Sequence, residues 1–134
     1  MAFYKKMQYK ANNLWYPRSV TAGSASTRSI ARYISEGTSL SVSDVTAVLA
    51  ALPSAMKHYM SLGQTVKLDN VGTFYYTAET AGQGVAAAEE VSAKQIKGVH
   101  VRFTPAGSRR SNNAYSERYL VAQDLQWHEL QDEG

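Results

Sequence analysis

At 134 residues, with 44% hydrophobic and 19% charged positions, the chain has the size of one domain and enough apolar content to build a core. That composition lies away from the low-hydropathy, high-charge regime of disordered chains, and the absence of cysteine excludes a disulfide framework, a thiolate metal site and a cysteine nucleophile. The formal charge of +3 conceals an uneven distribution: residues 1–35 hold six cations and no carboxylate, whereas from Glu117 onward five carboxylates stand against one arginine, so a polyanion can be offered one basic face.

Met1 to Met7 alternates apolar and charged residues where a secretory signal needs a continuous apolar run, and no later stretch reaches membrane-spanning length; a soluble cytoplasmic protein is expected. Residues 3–10 and 14–16 are aromatic-rich and alternating, which predicts a short strand or hairpin. Pro17 to Ser26 is rich in Ser, Thr, Ala and Gly and reads as a loop. A helix follows, capped by Ser26 or Thr27, with Ile30, Tyr33 and Ile34 at helical spacing. Ser41 and Asp44 then have the spacing of a capping box, flanked by Leu40 and Val45 as a hydrophobic staple. Val45, Val48, Leu49, Leu52, Met56, Tyr59 and Met60 form the apolar stripe of this second helix, which Gly63 ends. Pro53 within it predicts a kink or a local break.

Beyond Gly63 the period changes to two. Val66 and Leu68 alternate with Lys67 and Asp69, and a turn over residues 70–72 leads into a strand over 73–77, together a β-hairpin. Residues 79–98 hold few large apolar side chains and read as a loop or extended arm. Val99, Val101 and Phe103 restore the alternation and complete a three-stranded sheet, with His100 and Arg102 on its other face. Pro105 and Gly107 end it, and the polar segment 108–120 is compatible with a helix. No internal repeat is visible.

This order of elements resembles the HU/IHF family of bacterial histone-like proteins over residues 26–110. The similarity lies in Leu62-Gly63 followed by Val66-Lys67-Leu68-Asp69-Asn70-Val71-Gly72-Thr73-Phe74, and in Val101-Arg102-Phe103-Thr104-Pro105-Ala106-Gly107. The resemblance implies an α+β, IHF-like fold: two N-terminal helices, a three-stranded antiparallel sheet with a protruding arm, and an intertwined dimer. It implies a domain over 26–120 with its arm at 79–98, preceded by an N-terminal strand extension and loop over 1–25 and followed by an acidic tail over 121–134; the extension and tail are similar to additions of an extended HU-like branch. The implied role is nucleoid-associated, histone-like DNA condensation by a homodimer that binds double-stranded DNA with little sequence preference. The family's arm carries arginines and a proline wedge that opens a base step. Here the arm has neither, and its net charge is −1.

The candidate phosphate contacts are Lys94, Lys97 and Arg102, with Arg28, Arg109 and Arg110 extending the footprint, since neutralising a phosphate backbone needs cations but no base-reading geometry. Aromatics among the N-terminal cations fit base stacking as in single-strand binders, or simple packing in a strand core, which is the expected role. His58, His100 and His128 lack carboxylates at ligand spacing, so no metal site is expected. No nucleophile elbow, phosphate loop or dinucleotide fingerprint is present, and neither an enzyme nor a cofactor is expected. Two functions remain open: an architectural DNA-binding dimer, or an HU-like scaffold turned protein-interaction or assembly module, which the acidic arm and tail would suit.

Overall fold

The computed structural model describes residues 1–109 and 115–131, with side chains over 1–107 and 118–131. It contains two helices and three small sheets, and divides into two units, one of residues 1–49 with the segment from 121 and one of residues 50–120.

In the first unit β1 (Ala2–Gln8) and β2 (Trp15–Val20) form an antiparallel hairpin, in register from Phe3 opposite Val20 to Gln8 opposite Trp15. Asn13, at φ 58°, closes the turn, helped by the Leu14 N–H donating to Asn12 Oδ1 at 3.0 Å. Residues 17–20 are therefore strand, where composition pointed to a loop. Proline is tolerated because β2 ends the strand order β2-β1-β8, and an edge residue opposite Lys6 can lack an N–H without breaking the ladder. The third member, β8 (Trp127–Glu129), pairs parallel with β1 and makes it the central strand, so part of the acidic tail is built into a sheet. Packing in a strand core does not hold for most of this sheet's aromatics: Trp15 is 65% exposed and Trp127 53%, and Tyr9 and Tyr16 are exposed as well.

Helix α1 (Thr27–Glu36) starts where Ser26 Oγ accepts the Ser29 N–H at 3.1 Å. Its inward side is set by Ala31, fully buried, and Ile34; Tyr33, expected on that face, is 81% exposed, and Ile30 is exposed too. Helix α2 (Val42–Ser61) opens with both halves of the capping box. The Asp44 N–H donates to Ser41 Oγ at 3.1 Å and the Ser41 N–H to Asp44 Oδ2 at 3.3 Å. At its other end Gly63 adopts φ +83°, and the N–H groups of Gly63 and Gln64 close back on the carbonyls of Met60 and Tyr59. Between these caps α2 runs through Pro53 without the break that the proline allowed for.

The apolar stripe of α2 resolves into two. Val42, Val45, Leu49, Leu52, Met56 and Met60 are buried or half-buried, whereas Val48, Ala51, Ala55, Tyr59 and the adjoining Leu62 are exposed. At 3.6 residues per turn the two rows lie roughly 100° apart. A helix apolar over so wide an arc needs cover on more than one side.

In the second unit β3 (Val66–Leu68), β4 (Gly72–Thr80) and β5 (Ile96–Pro105) form an antiparallel sheet in that order. The β3–β4 turn uses Asn70 at φ 65° and the Val71 N–H donating to the Leu68 carbonyl at 3.0 Å. Gly72 begins β4 at φ +152°, and a Cβ there would sit 2.4 Å from the Thr104 carbonyl oxygen and 2.5 Å from the Phe103 ring; only glycine fits. Phe74 faces Phe103 across the ladder, with ring centroids 4.7 Å apart. Beyond Pro105, β6 (Gly107–Arg109) pairs with β7 (Tyr115–Arg118), so the described part of the segment compatible with a helix is a strand pair.

Candidate nucleic-acid interface

Alternation along β4 and β5 sorts the hairpin into two faces. Phe74, Tyr76 and Ala78 share one with Phe103, Val101 and Val99; Thr73, Tyr75, Thr77 and Glu79 share the other with Thr104, Arg102, His100 and Gly98. Lys67, opposite Thr73, adds a cation to the polar face from β3. Arg102 is held there by its Nε–H donating to Thr77 Oγ1 at 3.4 Å.

Lys97 reaches the same face by a different route. By simple parity it would point away from Arg102. The register shifts between Glu79, opposite Gly98, and Thr80, opposite Ile96, leaving Lys97 as the unpaired residue of a bulge. Its Nζ lies 3.4 Å from Glu79 Oε1, and His100 Nε2 lies 3.6 Å from Glu79 Oε2. Three cations, Lys67, Lys97 and Arg102, thus stand on this face with Glu79, and Asp69, just past β3, borders it beside Lys67. The Lys97–Glu79 pair is about half exposed on both sides, and pairs of that kind contribute only about 0–1 kcal/mol, so the lysine can trade its carboxylate for a phosphate at little cost.

The other expected contacts are distributed differently. Lys94 is exposed on the second of two single-turn 3-10 helices, Ala88–Glu90 and Ala93–Gln95, that shape the arm tip. The Ala81 N–H donating to the Gln95 carbonyl at 2.8 Å ties the base of that tip. The arm is thus strand at its root and turned at its tip, not a loop throughout. Arg109 lies on β6, described by its backbone alone, and Arg110 lies outside the described residues. Arg28 is exposed on α1, in the first unit. Lys67 was missing from the expected set, although the Val66-Lys67-Leu68 alternation already turned it away from the apolar face.

Among the described residues no three His, Asp or Glu side chains gather as a metal site requires, and no helix is long and apolar enough to cross a membrane. The sequence model of a family described as "HU domain fused to wHTH, Ig, or Glycine-rich motif" matches residues 2–116. No curated protein matches the chain.

Proposed function

The chain belongs to this family of HU-type domains, and from that membership we propose that it is a non-enzymatic, histone-like architectural protein that binds duplex DNA through its phosphate backbone. The match begins at residue 2 and so includes the N-terminal hairpin, which supports reading a strand extension over 1–25 joined to an HU/IHF-like domain over 26–120. The observation that carries the reading is the polar face of the second sheet, along which Lys67, Arg102 and Lys97 are spaced, three cations against the carboxylates of Glu79 and, at its border, Asp69. Cations on a regular two-stranded ribbon can follow a phosphate backbone without reading bases. Lys94 adds a contact from the arm tip, and Arg28, Arg109 and Arg110 extend the footprint.

The active species is a homodimer. The exposed row Val48, Ala51, Ala55, Tyr59 and Leu62 on α2, and the exposed Val99, Val101 and Phe103 on β5, are apolar surfaces left open in one copy of the chain. A second, symmetry-related copy supplies matching apolar cover, because a two-fold interface brings the same patch from each partner. Light scattering at micromolar concentration is expected to give twice the chain mass, and a stable monomer would defeat the dimer.

The direct test is a titration of duplex DNA at several salt concentrations. Affinity is expected to fall steeply with salt and to vary little with sequence, each neutralised phosphate adding roughly 0.9 to the log-log slope. Replacing Lys94 and Lys97 together by alanine is expected to lower that slope by roughly 1 to 2 units without changing base preference. Because the arm has neither arginine nor proline, pre-bent and straight probes are expected to bind nearly alike. No binding at low salt would transfer the case to an HU-like assembly module, which the arm's net negative charge favours.

A further inference from the structure

The first unit presents a second surface that the duplex-binding reading does not use. On one face of the β2-β1-β8 sheet, Tyr4, Lys6, Trp15, Pro17 and Trp127 line an open groove of about 750 Å³. Trp15 stands opposite Gln8, at one end of β1, and Trp127 opposite Ala2, at the other, with Tyr4 and Lys6 between them. That spacing is six residues of strand, roughly 20 Å. Two tryptophans exposed over more than half of their surface, with Tyr4 and Pro17 on the same face, make a contiguous apolar patch of the kind that marks an interaction site.

We propose that this groove binds single-stranded nucleic acid, with unpaired bases stacking on Trp15 and Trp127 and the sugar-phosphate backbone running past Lys6. Two properties select this occupant. Flat aromatic platforms need the face of a base, which a duplex hides within its own stack and a single strand offers freely. The local field is also of the right sign: Lys6 lines the groove, Lys10 lies in the turn, and Lys5 with Arg18 on the opposite face add to a hairpin that carries no carboxylate of its own, a positive potential that draws a polyanion more than a neutral peptide. The carboxylate that does approach, Glu129 from β8, lies 3.4 Å from Lys6 Nζ, and both side chains are accessible enough for a phosphate to displace it.

The chain's two tryptophans both line this groove, so tryptophan emission, excited at wavelengths that tyrosine does not absorb, reports on it alone. Titration with dT12 at low salt is expected to quench the emission to saturation. Trp15→Ala is expected to weaken dT12 roughly 5- to 150-fold, the loss of one stacked base, while Trp15→Phe retains most of the affinity. Neither change is expected to alter binding of a 30-base-pair duplex, whereas Lys97→Ala with Arg102→Ala weakens the duplex and leaves dT12 unaffected. Circular dichroism of Trp15→Ala checks that the edge strand persists; if it does not, Trp127→Ala, with its own phenylalanine control, carries the same expectation. Absence of dT12 binding in a protein that still binds duplex would overturn the groove assignment alone. So would equal losses on both probes, or quenching by decaproline with no response to dT12, which would assign the groove to a proline-rich peptide.

Discussion

The molecule's two three-stranded sheets use exposed side chains in opposite ways. The β3-β4-β5 sheet concentrates cations on one face, pairs Phe74 with Phe103 on the other, and needs glycine at position 72 to let its strands close. The β2-β1-β8 sheet leaves two tryptophans in water on one face. A face of cations gains affinity by releasing counterions and loses it as salt rises. A face of flat rings gains by stacking and carries less of that electrostatic term. One chain thus displays two kinds of surface, one of cations and one of exposed rings.

The contrast can be broken first at the level of stability. Phe74→Ala is expected to cost on the order of 2 to 5 kcal/mol, as large-to-small core substitutions do, and urea unfolding would measure it. Leu52→Ala belongs in the same range. A change of a few tenths would mean that the apolar face of β4 remains uncovered in the native assembly. Gly72→Ala is expected to cost on the order of 3 kcal/mol, because the added carbon meets a backbone carbonyl and the φ of +152° is one L side chains rarely adopt. Glu79→Gln sharpens the comparison from the other side. Removing the carboxylate beside Lys97 and His100 should raise duplex affinity by up to roughly five-fold, the scale of an exposed pair. The smallest effect is expected in the first sheet, where Trp15→Ala should change unfolding free energy by within about 0.5 kcal/mol, since a largely exposed side chain has little burial to lose. A large loss there would make the tryptophan structural and remove the contrast.

What sequence reasoning recovered was mostly local. The box of Ser41 and Asp44, the glycine stop at position 63, the Asn70 turn and the alternation through Phe103 each depend on residues a few positions apart, so pattern and outcome coincide. What escaped depends on distant partners. Pro17 to Val20 becomes strand because β1 lies beside it, and Trp127 to Glu129 because the same strand has a second free edge. The side on which Lys97 emerges is fixed by one extra residue in the ladder, which no periodicity reveals. Tyr33, Val48 and Tyr59 are apolar and helically spaced, but spacing cannot separate a row covered within one chain from a row open to a partner. The same blindness applied to the N-terminal aromatics, read as core although the sheet leaves most of them exposed.

The parallel pairing of β1 with β8 also has a mechanical side. Its ladder is bounded by the Ala2 N–H on the Gln126 carbonyl at 2.8 Å and the Leu130 N–H on the Tyr4 carbonyl at 2.9 Å. Tension entering before β1 and leaving after β8 would slide two co-directional strands past each other, loading every bond between them at once. An antiparallel hairpin pulled from its open end parts one bond at a time, like a zip. A domain stitched through β1 and β8 in this way resists stretching along the chain in shear.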